Sequence, residues 1–520
     1  MKKYMLGRIL FSIFSLIVVI MIVMLLVYSL IDKKVIFQSD DIWNKKFLND
    51  RTAYEYTQYE KFGYMVTGEY GLFLKTLYAD VPDYQDDEQY KADKNAIKNP
   101  KTYTENESVK KFIDKYEAQG YKITYLEPVT YSDGSLKPGG GAALYAIKEK
   151  SVFERIWDYA KGLFSVETIN DVDDPNLTDR YIRFENDPYG WFAVVGSGTT
   201  HKYLLYFDNK FPFIHQNFIH LNLGVSFTRY RGEEISEVIV REQGVPKPST
   251  VVFPTGFEES TAVDMHSLKY NYSPNGEYES ARFIDNYSTY TYHKTELSRL
   301  ANSFIIGIIA TIIAYLLGLP LGILMARKKD TWVDKLGNAY IIFIMAVPSL
   351  AYIFMFAAIG TTVFKLPYTF ANAVPKVLGY ILPTVSLALP SIGGLMKWMR
   401  RYMIDQMNSD YVKFARSQGL SESEIYRTHI SRNAMIYIVH GIPGSILGSL
   451  TGAIITESIY SVPGVGTLLT EAIQRHDNAV IVATTVFYTT ISIVSLILGD
   501  LLLAKYDPRI SLSSSKGGGR

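Results

Sequence analysis

Cysteine is absent from all 520 residues, which excludes a disulfide framework and any thiolate metal site. Sites for covalent or hydrolytic chemistry are missing too. The chain has no G-x-x-x-x-G-K-S/T phosphate loop, no H-E-x-x-H and no G-x-S-x-G. Its eight histidines are scattered without metal-ligand spacing. No catalytic residue, metal or cofactor is therefore expected on this chain, and no nucleic-acid partner. Net charge is nearly absent as well, since 53 basic residues oppose 52 acidic ones. Together with a mean hydropathy of +0.03 this resembles a large soluble protein, but the averages blend a very apolar part with a very polar one.

What the chain has instead is a set of long uncharged runs. Lys2, Lys3 and Arg8 flank residues 9–31, which carry no charge and end without an A-x-A cleavage pattern. The run exceeds the ~7–15 apolar residues of a signal peptide and reads as an uncleaved span with its N-terminus inside. Further runs occupy 300–326, 336–364, 377–396, 435–455 and 479–504, each with the roughly 20 residues that a bilayer requires. Basic residues cluster at the N-terminus and at 327–335, 397–432 and 505–509, which places both termini in the cytoplasm. Trp332 and Trp398 fall at the predicted inner boundaries. The expected class is an α-helical polytopic membrane protein with six transmembrane helices. Its parts are a first helix (1–31), an extracellular domain (32–297), a membrane core (298–506) and a cytoplasmic tail (507–520).

Residues 32–297 hold most of the tyrosines and no run long enough to span, and they read as an α+β domain. Helices are expected at 109–119, between Ser108 as N-cap and Gly120 as stop, and at 154–163. Strands are expected at 203–207 and 237–240. Lys137-Pro138-Gly139-Gly140-Gly141 reads as a loop tip.

Between two apolar runs lies a polar island, 408–434. Ser409 is a candidate N-cap for a helix to Gln418, Gly419 supplies the left-handed stop, and Ser421 opens a second short helix with Glu424 at capping-box spacing. A capped helix pair is either a rigid lever or a solvated loop, and the capping favours the lever. In the next run Gly444, Gly448 and Gly452 share one helix face, for packing within the chain or against a partner. Pro320, Pro348, Pro383 and Pro390 are expected to kink or break their spans.

The order Asp410-Tyr411, Ala415-Arg416, Gly419-Leu420, Ile425, His429 and Asn433-Ala434 resembles the "EAA" coupling loop of ABC importer permeases, above all the oligopeptide and dipeptide permeases. Ser417-Gln418 departs mildly from that pattern. Glu457 to Gly466 resembles the family's E-x-x-F-x-x-P-G-x-G segment, with Tyr460 in place of Phe, and Asp507-Pro508-Arg509-Ile510 its D-P-R-x ending. Gly224-Val225-Ser226-Phe227 is similar to the stretch before the family's second span, which would make 45–212 an insertion like those of streptococcal oligopeptide permeases. The resemblance implies a type I importer permease in a bacterial plasma membrane. Asp410, Tyr411, Ala415, Arg416, Gly419, Leu420, Ser421, Glu424, Ile425, Arg427 and His429 would couple it to an ATPase. Glu457, Tyr460, Pro463, Gly464 and Gly466 would be candidates for the translocation path or gate at the outer mouth, where Glu457 either lines the path or caps a helix. Implied partners are a second homologous permease, two ATPase subunits that carry ATP and magnesium, an extracellular peptide-binding lipoprotein, peptide substrate and membrane lipid.

A dipeptide, nickel or glutathione importer is the alternative within this class. A membrane-anchored sensor would need a cytoplasmic output domain, and no inside segment is long enough. A cell-envelope enzyme would need an acid/base or nucleophile constellation, and none is recognisable.

Overall fold

The computed structural model describes residues 2–30, 32–38, 40–171, 176–186, 191–196, 203–207, 214–226, 234–240, 243–247, 250–252, 258–260 and 291–506. Phe227, the 507–510 motif and the tail lie outside them.

A backbone in hydrocarbon must satisfy its own polar groups, so the apolar runs become helices. The first, Lys2–Leu30, lies along the last, Asn478–Tyr506, and Arg8 meets Asp500 at 2.9 Å. Arg299–Arg327 and Ile381–Met407 pack together along their length. Gly318 and Gly322 permit that approach. A Cβ on either would stand 2.8 Å from the Cβ of Leu395 or Met399, close to the facing backbone carbonyls. Two small residues a helical turn apart thus bring two spans into backbone contact.

The third run is not one straight span. Trp332–Ala346 and Ser349–Thr362 meet at 113° across Val347-Pro348. Proline brings no N–H and forces the preceding residue out of the helical region, and Val347 accordingly sits at φ −79°, ψ 131°. Pro320 and Pro390 lie inside continuous helices and Pro383 in a first helical turn, so none of these three ends its helix. Among the described residues five helices are long and apolar enough to cross a bilayer, or six when the bent pair is taken as one. The fifth predicted span also begins later than expected. Gly441 and Pro443 divide Ser431–His440 from the crossing helix Ile442–Tyr460.

The polar domain is α+β. Met65–Glu69 and Lys122–Leu126 flank Ala143–Glu149 in an antiparallel sheet, and helices Tyr70–Leu77, Glu88–Ala96 and Glu107–Glu117 pack on it. A second antiparallel sheet orders Ile182–Glu185, Ala193–Gly196, Tyr203–Phe207 and Ile214–Gln216 in sequence. The tyrosines form core: Tyr59, Tyr64, Tyr70, Tyr90 and Tyr145 are all buried. Asp93, 2% exposed, ties helices together by accepting from Tyr78 (2.7 Å), Gln89 (3.1 Å), Asn106 (2.9 Å) and Ser108.

Local expectations shift for identifiable reasons. The helix predicted at 109–119 is Glu107–Glu117, because Asn106, and not Ser108, accepts from the N–H groups of Ser108 and Val109. The helix predicted at 154–163 is Val152–Gly162, opened by a complete Ser151/Glu154 capping box. The strand predicted at 237–240 is instead the helix Ile235–Val240. Its buried residues Ile235, Val238 and Ile239 have helical spacing, and the helix packs on the second and last spans. The glycine loop is docked and is no free tip. The Asp50 N–H donates to the Gly139 carbonyl (3.0 Å), and Asn49 donates to that of Gly141 (2.9 Å).

Candidate functional site

At the end of the spans remote from the polar domain, the 408–434 island folds as two helices on a shared apolar floor. Asp410–Ser417 has Ser409 at its N-cap position, but the Ser409 hydroxyl donates back to the Gln406 carbonyl and does not cap. Gly419 takes the left-handed turn at φ 81°. Ser421 then caps, accepting from the Glu424 N–H at 3.3 Å. The second helix is longer than expected. From Glu422 it passes through a π-helical stretch, Ile425–Ile430, into Ser431–His440, one rod that reaches the membrane core. A π turn widens the helix by one residue per turn and is a frequent mark of functional segments.

The two faces of this hairpin differ. Val412, Ala415, Ile425, Ile430, Ala434 and Ile438 are buried against Ala326, Met399 and Met403 at the ends of spans two and four. At the far end of the rod, His440 Nδ1 meets the Gly499 carbonyl in the last span at 3.0 Å. Asp410, Arg416, Gly419, Ser421, Glu424 and Arg427 face outward, whereas Tyr411, Leu420 and His429 are half-buried. Arg416 bridges the helices through Glu422 at 2.6 Å, and that hydrogen-bonded guanidinium holds the Glu422 carboxyl below the usual glutamate range. Phe414 is 63% exposed between Lys413 and Arg416. Sequence reasoning passed over Phe414. Its signal was an aromatic residue at a position whose helical neighbours Val412 and Ala415 form the buried face. The predicted coupling residues therefore divide into an inner set that touches the spans and an outer set available to a partner.

At the opposite end, Glu457 to Gly466 folds into a lock. Tyr460 is buried, paired with Ser386 at 2.8 Å and with the Ile353 carbonyl at 3.3 Å. The Glu457 carboxylate is fully buried over the N-terminus of Val465–Gln474 and accepts from the Thr467 N–H at 3.1 Å. Of the two roles considered, helix capping matches this geometry. Gly464 and Gly466 have no room for a side chain beside that carboxylate. Arg299, Asn302 and Ser303 at the start of span two complete the lock. Arg299 donates to the Gly464 carbonyl (3.1 Å), Asn302 donates to that of Pro463 (2.9 Å), and Ser303 accepts from the Val465 N–H (2.9 Å). These three were not anticipated, because polar residues opening a span read as boundary markers.

Residues 318–512 match the family described as binding-protein-dependent transport system inner membrane component. The oligopeptide transport system permease protein AmiC of Streptococcus pneumoniae is 35% identical over an alignment of 532 positions that covers all of both chains. The chain belongs to the peptide permease family of ABC importers. The dipeptide transport system permease proteins DppB of Lactococcus lactis and Bacillus subtilis are 32% and 30% identical, over 41% and 40% of this chain and 70% and 68% of theirs. This permease thus shares its polar domain with AmiC, while the DppB proteins match less than half of it. A chain of the MetNI methionine ABC transporter covers 40% of this chain and 94% of itself, at 10% identity and a TM-score of 0.32, a likeness too slight to argue from.

As a family member with several apolar helices, the permease is a multi-pass membrane protein and a transport subunit. Its glycines sort into two groups. Gly318 and Gly322, overlooked in the sequence despite the same four-residue spacing, make an internal helix contact. Gly444 and Gly448 are exposed, and a Cβ on either meets nothing within 4 Å. The surroundings of Gly452 lie outside the described side chains.

Proposed function

We propose that this permease is one half of the membrane pathway of an ATP-driven importer that moves oligopeptides from an extracellular binding lipoprotein into a bacterial cytoplasm. A second, homologous permease would pack on the open Gly444/Gly448 face, and two ATPase subunits, which bind ATP and magnesium, would sit beneath the 408–440 hairpin. Both termini then lie in the cytoplasm and residues 32–297 outside. The observation that carries this reading is the hairpin's division of labour. One face is buried against the ends of two spans and the other offers Phe414 amid charged residues, so a push from below moves the spans directly. Two features support the sidedness: basic clusters at the hairpin end, and the polar domain at the opposite end. The full-length match to AmiC favours oligopeptides over dipeptides, nickel or glutathione as cargo.

The test is coupled transport in the reconstituted importer. Gly419→Pro, which cannot adopt φ 81°, and Glu424→Lys, on the outward face, are expected to abolish peptide uptake while the subunit still inserts. Unchanged uptake together with unchanged peptide-stimulated ATPase activity would overturn the coupling role.

A further inference from the structure

A cavity of about 250 Å³ lies where the polar domain meets the outer ends of the first and last spans. Its two halves differ in chemistry. Met24 of span one and Val482 of the last span, both buried, contribute to an apolar floor, whereas Lys61, Lys150 and Arg155 bring three cations to the side toward the polar domain. Tyr28, near the end of Lys2–Leu30, and Ala479, at the start of Asn478–Tyr506, also line it, which sets the cavity at the level where hydrocarbon gives way to headgroups.

The charge there is not balanced from within. Arg155 is 7% exposed, and its guanidinium lies against the rings of Tyr28 and Tyr64, which stand edge to face, 3.6 and 3.7 Å from their centres. Among the described residues no carboxylate lies within ion-pair distance of it. Asp158, the carboxylate that lines the cavity, is engaged by Lys150 at 2.6 Å. Lys61, exposed at the rim, has no acidic partner among the described residues. A buried cation ordinarily has a counter-ion, because desolvating it alone is costly. A second observation points the same way: the Tyr159 hydroxyl, on the cavity wall, is buried with no hydrogen-bond partner. Buried hydroxyls are nearly always paired.

We infer that this cavity binds a phosphate oxyanion at the outer membrane boundary, held by Arg155, Lys61 and the Tyr159 hydroxyl. The source is either the headgroup of an anionic phospholipid or free phosphate. The two rings hold the guanidinium in place, and its five N–H donors, of which the Tyr28 hydroxyl engages only part, form the array that suits a phosphate. The apolar floor beside the spans favours the lipid, whose acyl chains continue into the hydrocarbon; basic pockets at span ends are a recurrent headgroup site.

The experiment uses the full-length permease in its assembled importer. In one arm the complex is taken from phosphatidylcholine nanodiscs with or without phosphatidylglycerol, and retained lipid is read by native mass spectrometry. In the other, inorganic phosphate is titrated against complex in phosphatidylcholine alone, and the melting temperature is read. Retention of phosphatidylglycerol over phosphatidylcholine supports the site with lipid as the source. A rise in melting temperature with phosphate supports it with the free anion. In either arm Lys61→Gln and Tyr159→Phe should each weaken the effect by about tenfold, the size of one hydrogen bond to a charged group. Among the described residues the Lys61 side chain makes no hydrogen bond or ion pair, so Lys61→Gln leaves folding intact. Neither retention nor stabilisation, or effects equal in wild type and both variants, would overturn the proposal.

Discussion

Asp93 shows how single residues hold the polar domain together. Burial alone would raise its carboxyl, but hydrogen bonds from Asn106, Ser108, Tyr78 and Gln89 outweigh that and pull it below the ordinary aspartate value. A carboxyl depressed in the folded state adds stability above its unfolded value, and that stability is lost as pH falls through the folded one. Acidification through the aspartate range should therefore lower the melting temperature of wild type, and Asp93→Asn should flatten that part of the profile. The same variant replaces one acceptor oxygen with an NH2 donor that faces two of the four donors, and should cost about 2–3 kcal/mol at neutral pH, read by thermal or denaturant unfolding. None of this was legible in the sequence, where Asp93 is one acidic residue among 52. Gly419 was legible, because a glycine between two capped helices has few other uses and does sit at φ 81°. Ser409 was misread, since its position fits a cap while its hydroxyl binds the preceding turn.

At the level of elements, hydropathy located each helix that is long and apolar enough to cross among the described residues, but not the breaks within them. Pro348 bends its run by 113°, while Pro320 and Pro390, equally visible in the sequence, do not end theirs. Outside context decides, because neighbours must supply whatever each freed carbonyl needs. The rod from Glu422 to His440 was foreshortened for a related reason. Residues 435–440 are apolar enough to begin a span, yet Gly441 and Pro443 assign them to the helix below. The glycines make the sharpest forecast here. Gly322→Ala forces a Cβ 2.8 Å from that of Met399 and should cost about 1–3 kcal/mol, seen as earlier loss of the folded subunit on heating in detergent. Gly448→Ala meets nothing within 4 Å and should leave the isolated subunit unchanged while weakening its pairing with the second permease. Equal effects of the two on the isolated chain would contradict the division.

In the whole molecule, the polar domain and the 408–440 hairpin hold different spans at opposite ends, the domain the first and last, the hairpin the second and fourth. The domain is seated by Arg155 between Tyr28 and Tyr64, and by Asn478, whose side-chain amide donates to the Tyr64 hydroxyl at 3.0 Å. The hairpin is seated on Ala326, Met399 and Met403. Deleting residues 50–210 should impair peptide uptake and release the first span from its brace, yet leave the ATPase subunits attached, as copurification would show. The central claim is that the outward face of the hairpin meets an ATPase in the cytoplasm. The chain has no cysteine, so Phe414→Cys places a single thiol on that face. Labelling it with a membrane-impermeant maleimide is the most direct measurement. The account predicts no labelling in intact cells, labelling in inverted vesicles stripped of ATPase, and protection when the ATPase is restored. Labelling from outside intact cells would contradict it.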